Sequence, residues 1–160
     1  MSLASVKAFF AEKAPDITVI ETGQRTATVA EAAAALGLPP ARIAKTLSLR
    51  RGDEVFLVVT RGDARLDNRK AREAFGGKVR MLAADEVEAL TGHPVGGVCP
   101  FGLARPLQVY CDVSLQAFDD VAPAAGSIDS AVRISPARLA ELTGARWVDV
   151  CQQAPEPQPA

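Results

Sequence analysis

The sequence predicts one mixed α/β domain of the α+β kind, a sheet flanked by helices. Two apolar runs, 43–49 and 55–60, flank the polar link Arg50-Arg51-Gly52-Asp53-Glu54, which is a hairpin pattern. Capped helical segments alternate with short β-branched runs along the rest of the chain. The 160 residues, 48% hydrophobic and 23% charged, suit a single domain. At this length roughly 68–70% of the unfolded surface can be buried.

Each element follows from local signals. A helix over 5–14 carries Val6, Phe9 and Phe10 and stops at Pro15; 17–21 suits a strand. Thr28 and Glu31 form a capping box for an alanine-rich helix that ends at Gly37. After the hairpin, Asp67 caps a basic helix that ends near Gly76-Gly77. A strand over 79–82, a helix over 84–90 closed by Gly92, and a strand over 107–112 come next. Residues 113–118 suit one helical turn. Residues 121–125 and 131–134 are expected to pair with each other. Ser135-Pro136 opens a helix that stops at Gly144, and 146–150 is the last strand. Residues 1–151 are expected to form the domain and 152–160, with three prolines, a mobile tail.

Composition narrows the function classes. The net charge of −1 gives no global pull toward nucleic acid or membrane. No apolar run reaches the roughly 20 residues of a membrane-spanning helix, and the N-terminal residues lack the order of a signal peptide. Cys99, Cys111 and Cys151 have neither the even count nor the close spacing of a disulfide framework or zinc knuckle, so reduced thiols and a cytoplasmic location are expected. With one histidine in the chain, no metal site is expected.

Chemistry concentrates in four places. In an alternating strand, Ile43, Lys45, Leu47 and Leu49 share one apolar face, expected to look inward, with Lys45 on it. A cation there either grips an anionic ligand or snorkels to solvent. The run Gly96-Gly97-Val98-Cys99-Pro100-Phe101-Gly102 either aims main-chain N–H groups at an oxyanion or is a rigid connector. His93 and Cys99 suggest a thiol–imidazole pair, but no third residue orients them, and Cys99 reads as readily as a buried thiol. The turn Ala125-Gly126-Ser127-Ile128-Asp129 offers hydroxyl and carboxylate groups, with Asp129 either a ligand for water or an amino group or a plain turn residue. Residues 61–80 carry seven basic and three acidic side chains; Arg65, Arg69, Lys70 and Arg72 form either a phosphate-binding surface or a solvated helix face.

Ile43-Ala44-Lys45-Thr46-Leu47, Asp67-Asn68-Arg69-Lys70, the stretch from Thr91 to Gly102 and Ala125-Gly126-Ser127 together resemble the YbaK/EbsC family, which includes prolyl-tRNA-synthetase-associated editing domains. The resemblance spans about residues 5–150 and implies a compact fold with a mixed, barrel-like sheet. It implies a trans-editing deacylase that hydrolyses the ester of a small noncognate amino acid (alanine, cysteine, serine or threonine) on mischarged tRNA, with tRNA-Pro the expected carrier. Lys45 matches the lysine that holds the substrate's 3′ end. Gly96 and Gly97, with Val98, Cys99, Pro100, Phe101 and Gly102, match the loop lining the aminoacyl pocket, and Gly126 and Ser127 match the turn across from it. Thr26, Thr46 and Asp129 are expected to border the substrate. The resemblance implies attack by water without a protein nucleophile or cofactor, and partnership with mischarged aminoacyl-tRNA and an aminoacyl-tRNA synthetase, by a protein expected to be monomeric. Two other readings stay open: a non-catalytic tRNA- or partner-binding module on the same fold, and a thiol hydrolase using Cys99.

Overall fold

A computed structural model describes residues 2–152; the rest of the expected tail, 153–160, lies outside the described residues. The elements run α1 (Ser2–Lys13), β1 (Ile20–Glu21), α2 (Val29–Leu36), β2 (Ile43–Arg51), β3 (Glu54–Arg61), α3 (Asn68–Phe75), β4 (Arg80–Met81), α4 (Ala84–Thr91), β5 (Gln108–Asp112), β6 (Ala122–Pro123), β7 (Ser130–Ala131), α5 (Pro136–Thr143) and β8 (Arg146–Val148). The helix signals act as expected. Thr28 and Glu31 close a capping box, Asp67 accepts from the Lys70 N–H, and Ser135 accepts from the Arg138 N–H. Gly37, Gly76, Gly92 and Gly144 end their helices in left-handed conformations.

The hairpin is the spine of the sheet. β2 and β3 pair antiparallel from Ala44↔Arg61 to Arg51↔Glu54, around the turn Gly52-Asp53. The order is β4-β2-β3-β5-β8, with β5 parallel to β3 and β8 parallel to β5, so the sheet is mixed. β6 joins β2 in parallel at Ile43↔Ala122 and Ala44↔Pro123, on the edge that β4 uses farther along. A second sheet pairs β1 with β7. The expected pairing of 121–125 with 131–134 occurs only as the bridges Val121↔Ile134 and Ala124↔Ala131. Pro123 accepts from the Val132 N–H but has no N–H to return, so a ladder cannot propagate there.

Both faces of the central strands are covered: Leu47 and Leu49 look inward as expected of the 43/45/47/49 face, and the opposite face is buried as well. Leu57, Val59, Val109 and Cys111 pack into the main core with Val6 and Phe10 of α1 and Leu139 of α5. On the opposite face Leu47, Leu49, Phe56 and Val58 pack with Ala71 and Phe75 of α3 and with Val150. A strand buried on both sides reads as continuous apolar sequence, not as alternation.

Asp112 fastens the C-terminal segment to this sheet. It is buried; its Oδ1 accepts from the Val150 N–H at 2.8 Å and its Oδ2 from the Ser114 N–H at 2.9 Å. The Asp67 N–H donates to the Val150 carbonyl, and the Gln152 N–H to the Arg65 carbonyl. Asp112→Ala orphans one buried and one part-buried donor and is expected to lower stability by about 2–3 kcal/mol in urea unfolding. Cys99, Cys111 and Cys151 are free and buried, and burial pushes each thiol up to about 12. A thiol reagent at pH 8 is therefore expected to titrate none of them in the folded protein and all three after denaturation.

Candidate functional site

The edge of β2 that faces β4 and β6 is interrupted. β6 occupies it as far as Ala44, and β4 takes it up at Leu49, with the Leu82 N–H donating to the Ser48 carbonyl at 2.9 Å. Between these partners the edge carries no strand, and a pocket of about 220 Å³ opens there. Its walls come from both flanks of the gap: Met81, Leu82 and Val87 on the β4 side, Ala122 and Ala124 on the β6 side, and Ala44, Lys45, Thr46 and Ser48 of β2 itself. Thr26, Ala27, Thr28, Val29, Val95, Gly96, Val98 and Ser130 close it from the loops. Met81 and Val95 stand at the pocket 59% and 58% exposed.

Two loops that are distant in sequence meet behind the pocket. Gly97 lies so close to Ser127 that a Cβ would sit 2.8 Å from its main-chain nitrogen, and the Gly126 N–H donates to the Gly97 carbonyl at 3.1 Å. Gly96 has φ +90°, and a Cβ there would meet the Ala27 side chain at 2.7 Å. Only glycine allows these approaches. Across from them the Thr26 N–H donates to the Ile128 carbonyl, and Thr26 is buried.

Of the residues expected at the site, Thr26, Lys45, Thr46, Gly96 and Val98 line the pocket. Gly97, Gly126 and Ser127 form its backing. Asp129 is exposed and accepts from the Ser127 hydroxyl at 2.8 Å rather than lining the pocket. Cys99, Pro100, Phe101 and Gly102 are corrected: they turn away from it. Cys99 and Phe101 are fully buried in the main core, Pro100 is buried, and Gly102 packs against the backbone of Ser5 and Val6. Phe101 packs against Phe9 and Phe10 of α1, so the loop serves the pocket through Gly96 and Val98, backed by Gly97, and the core through Cys99 to Gly102.

Lys45 is half-buried, and its Nζ donates to the Ala64 carbonyl at 2.5 Å. Burial holds its pKa below the usual lysine value, partly opposed by the Asp63 carboxylate. Lys45 forms no ion pair among the described residues; Asp63 is engaged by Arg61 at 2.6 Å. An ammonium has three donors, so Lys45 keeps donors for an incoming anion.

His93 and Cys99 make no catalytic pair. The His93 ring is buried; its Nε2 donates to the Phe101 carbonyl at 2.7 Å and its Nδ1 accepts from the Ser2 hydroxyl at 2.5 Å. Burial lowers the His93 pKa, which favours this neutral, doubly bonded ring. The ring ties α1 to the glycine loop, and a fully buried thiol raised to about 12 is no nucleophile.

The basic segment divides into two parts. Lys70 donates to Asp149 at 3.1 Å and to the Cys151 carbonyl at 3.0 Å, so it fastens the C-terminal segment. Arg65 and Arg72 are exposed, and Arg69 meets Glu73 at 3.4 Å in an exposed pair. Sequence reasoning missed Ser48, Leu82, Val87 and Ser130 of the pocket, because only the interrupted pairing of β2 brings them together.

The sequence and the fold match known proteins. Residues 24–142 match the family model described as the aminoacyl-tRNA editing domain. The chain is 49% identical to the Bacillus subtilis "Uncharacterized protein YwhH" over 95% of this chain and 98% of that protein. It is 35% identical to a proline–tRNA ligase of Trichlorobacter lovleyi over 64% of this chain, a segment making up 18% of that enzyme. A solved structure described as "a putative trans-editing enzyme for prolyl tRNA synthetase" superposes with a TM-score of 0.87 at 33% identity, covering 95% of this chain and 98% of that one. No helix among the described residues is long and apolar enough to cross a membrane. The chain, with its mixed sheet, its interrupted strand and its glycine-backed pocket, belongs to the aminoacyl-tRNA editing domain family.

Proposed function

We propose that this protein is a trans-editing aminoacyl-tRNA deacylase that removes a small noncognate amino acid, of the alanine, cysteine, serine or threonine class, from mischarged tRNA, with tRNA-Pro as the carrier. The observation that carries this reading is the pocket at the β2 gap. It is a small, mostly apolar chamber next to a lysine that has no carboxylate partner among the described residues. The similarity to an editing-type structure and to a segment of proline–tRNA ligase supports the substrate class.

In this reading the aminoacyl side chain enters the chamber between Leu82, Val87, Val98 and Ala122. Lys45 holds the negatively charged 3′ end of the tRNA. A water attacks the ester carbonyl, the bond to the ribose oxygen breaks, and the products are the free amino acid and a tRNA with a free terminal hydroxyl. Fixed charge and main-chain dipoles that match the developing oxyanion lower the barrier. Gly97, Gly126 and Ser127 act by fixing the loop that carries Gly96. Arg65, Arg69 and Arg72 contact tRNA phosphates, and a synthetase is a further partner.

Lys45→Ala is expected to lower deacylation of the preferred mischarged tRNA at least about a hundredfold. Its melting temperature should change little, because one hydrogen bond to Ala64 is worth only about 1 kcal/mol. Hydrolysis at the wild-type rate by Lys45→Ala would remove that residue from the mechanism. Replacing Arg65, Arg69 and Arg72 together by alanine is expected to weaken tRNA binding. The slope of log affinity against log salt should fall by roughly one for each phosphate that the protein no longer neutralises. A slope identical to wild type would place the tRNA elsewhere, and tRNA binding without turnover of any mischarged tRNA would instead favour the non-catalytic module.

A further inference from the structure

Strand geometry at the gap assigns a role to the main chain of Thr46. Successive residues of a strand point their N–H and C=O groups to opposite edges, so residues two apart share an edge. The Ser48 carbonyl is received on the β4 side by the Leu82 N–H. Thr46, two residues earlier, therefore turns its own N–H and C=O to that same edge, where β6 has ended at Ala44 and β4 has not begun. On the other edge Thr46 stands opposite Val59 of β3. The Thr46 hydroxyl is buried as well and has no hydrogen-bond partner among the described residues. An unpaired N–H and C=O of a central strand thus face the pocket, a costly arrangement unless a ligand completes it.

We infer that Thr46 binds the aminoacyl group as one more residue of the sheet. In an antiparallel hydrogen-bonded pair, two residues exchange both N–H···O=C bonds. The substrate's α-ammonium donates to the Thr46 carbonyl, and the ester carbonyl accepts from the Thr46 N–H. This pairing puts the substrate side chain on the face that carries Ala44, Thr46 and Ser48, with Leu82 and Val87 among the pocket walls. It also aims a fixed N–H donor at the oxygen that gains charge when water attacks. Selection by this edge is selection for a free α-amino group, whichever small side chain follows it.

The inference rests on the proposed deacylase activity and is tested separately from it. The full chain is assayed on tRNA acylated with alanine and on the same tRNA acylated with lactic acid, which carries a hydroxyl in place of the amino group. Each enzymatic rate is divided by the uncatalysed hydrolysis rate of that ester. The alanyl ester is expected to be accelerated about 3- to 10-fold more than the lactyl ester, whose hydroxyl still donates to the Thr46 carbonyl but without the charge assistance. Thr46→Pro deletes the N–H where no strand uses it, a position at which a sheet edge tolerates proline. It should lose deacylation of the alanyl ester with an unchanged circular dichroism spectrum. If that variant unfolds, the two esters on the wild-type protein decide the matter. Equal acceleration of both esters overturns the inference and leaves the deacylase intact. No acceleration of alanyl, cysteinyl, seryl or threonyl esters overturns the proposed function and the inference together.

Discussion

The arrangement of this molecule follows from how β2 is paired. One edge is satisfied along almost its whole length by β3. The other is satisfied only at its two ends, by β6 and by β4. A strand buried on both faces cannot leave main-chain groups unsatisfied without cost. At the gap the candidate pocket opens, with walls from both of its flanks. The glycine loop, the 124–130 turn and the segment from Thr26 to Val29 all converge on it. Close approach of Gly97 to Ser127 and of Gly96 to Ala27 sets how narrow the chamber is.

Electrostatics in this site depend on isolation. Lys45 is partly desolvated and rests on one carbonyl, while the nearby carboxylate is taken by Arg61. Burial weakens its hold on its proton, but with Asp63 engaged elsewhere its field stays free for a ligand. The side chains usually recruited for covalent chemistry are spent on structure. The His93 ring is bonded at both nitrogens, Cys99 lies in the core, and Lys70 ties down the C-terminal segment. What the pocket offers is a cation, hydroxyls and main-chain dipoles around an apolar chamber, a set suited to placing an ester for attack by water.

The C-terminal segment shows how remote contacts support this pocket. Asp112 fixes Val150, Lys70 fixes the Cys151 carbonyl, and Cys151 lies near Lys45. The lysine's surroundings are thus assembled from β2, from the turn after β3 and from the last residues of the domain, three parts of the chain that only the sheet order brings together.

The sequence alone determined the local features: the helix caps at Thr28, Asp67 and Ser135, the left-handed stops at Gly37, Gly76, Gly92 and Gly144, and the hairpin at Gly52-Asp53. These rest on interactions within a few residues, so composition and spacing reveal them. It also marked Lys45 and the glycines at 96, 97 and 126 as unusual, although not what they face. The tertiary structure alone decided that β2 is covered on both faces and that its outer edge is broken. It also decided that Cys99, Pro100, Phe101 and Gly102 serve the core, and that Ser48, Leu82, Val87 and Ser130 join the pocket. Long-range pairing fixes which edge is satisfied and which is left open, and no period along a single strand records its partners.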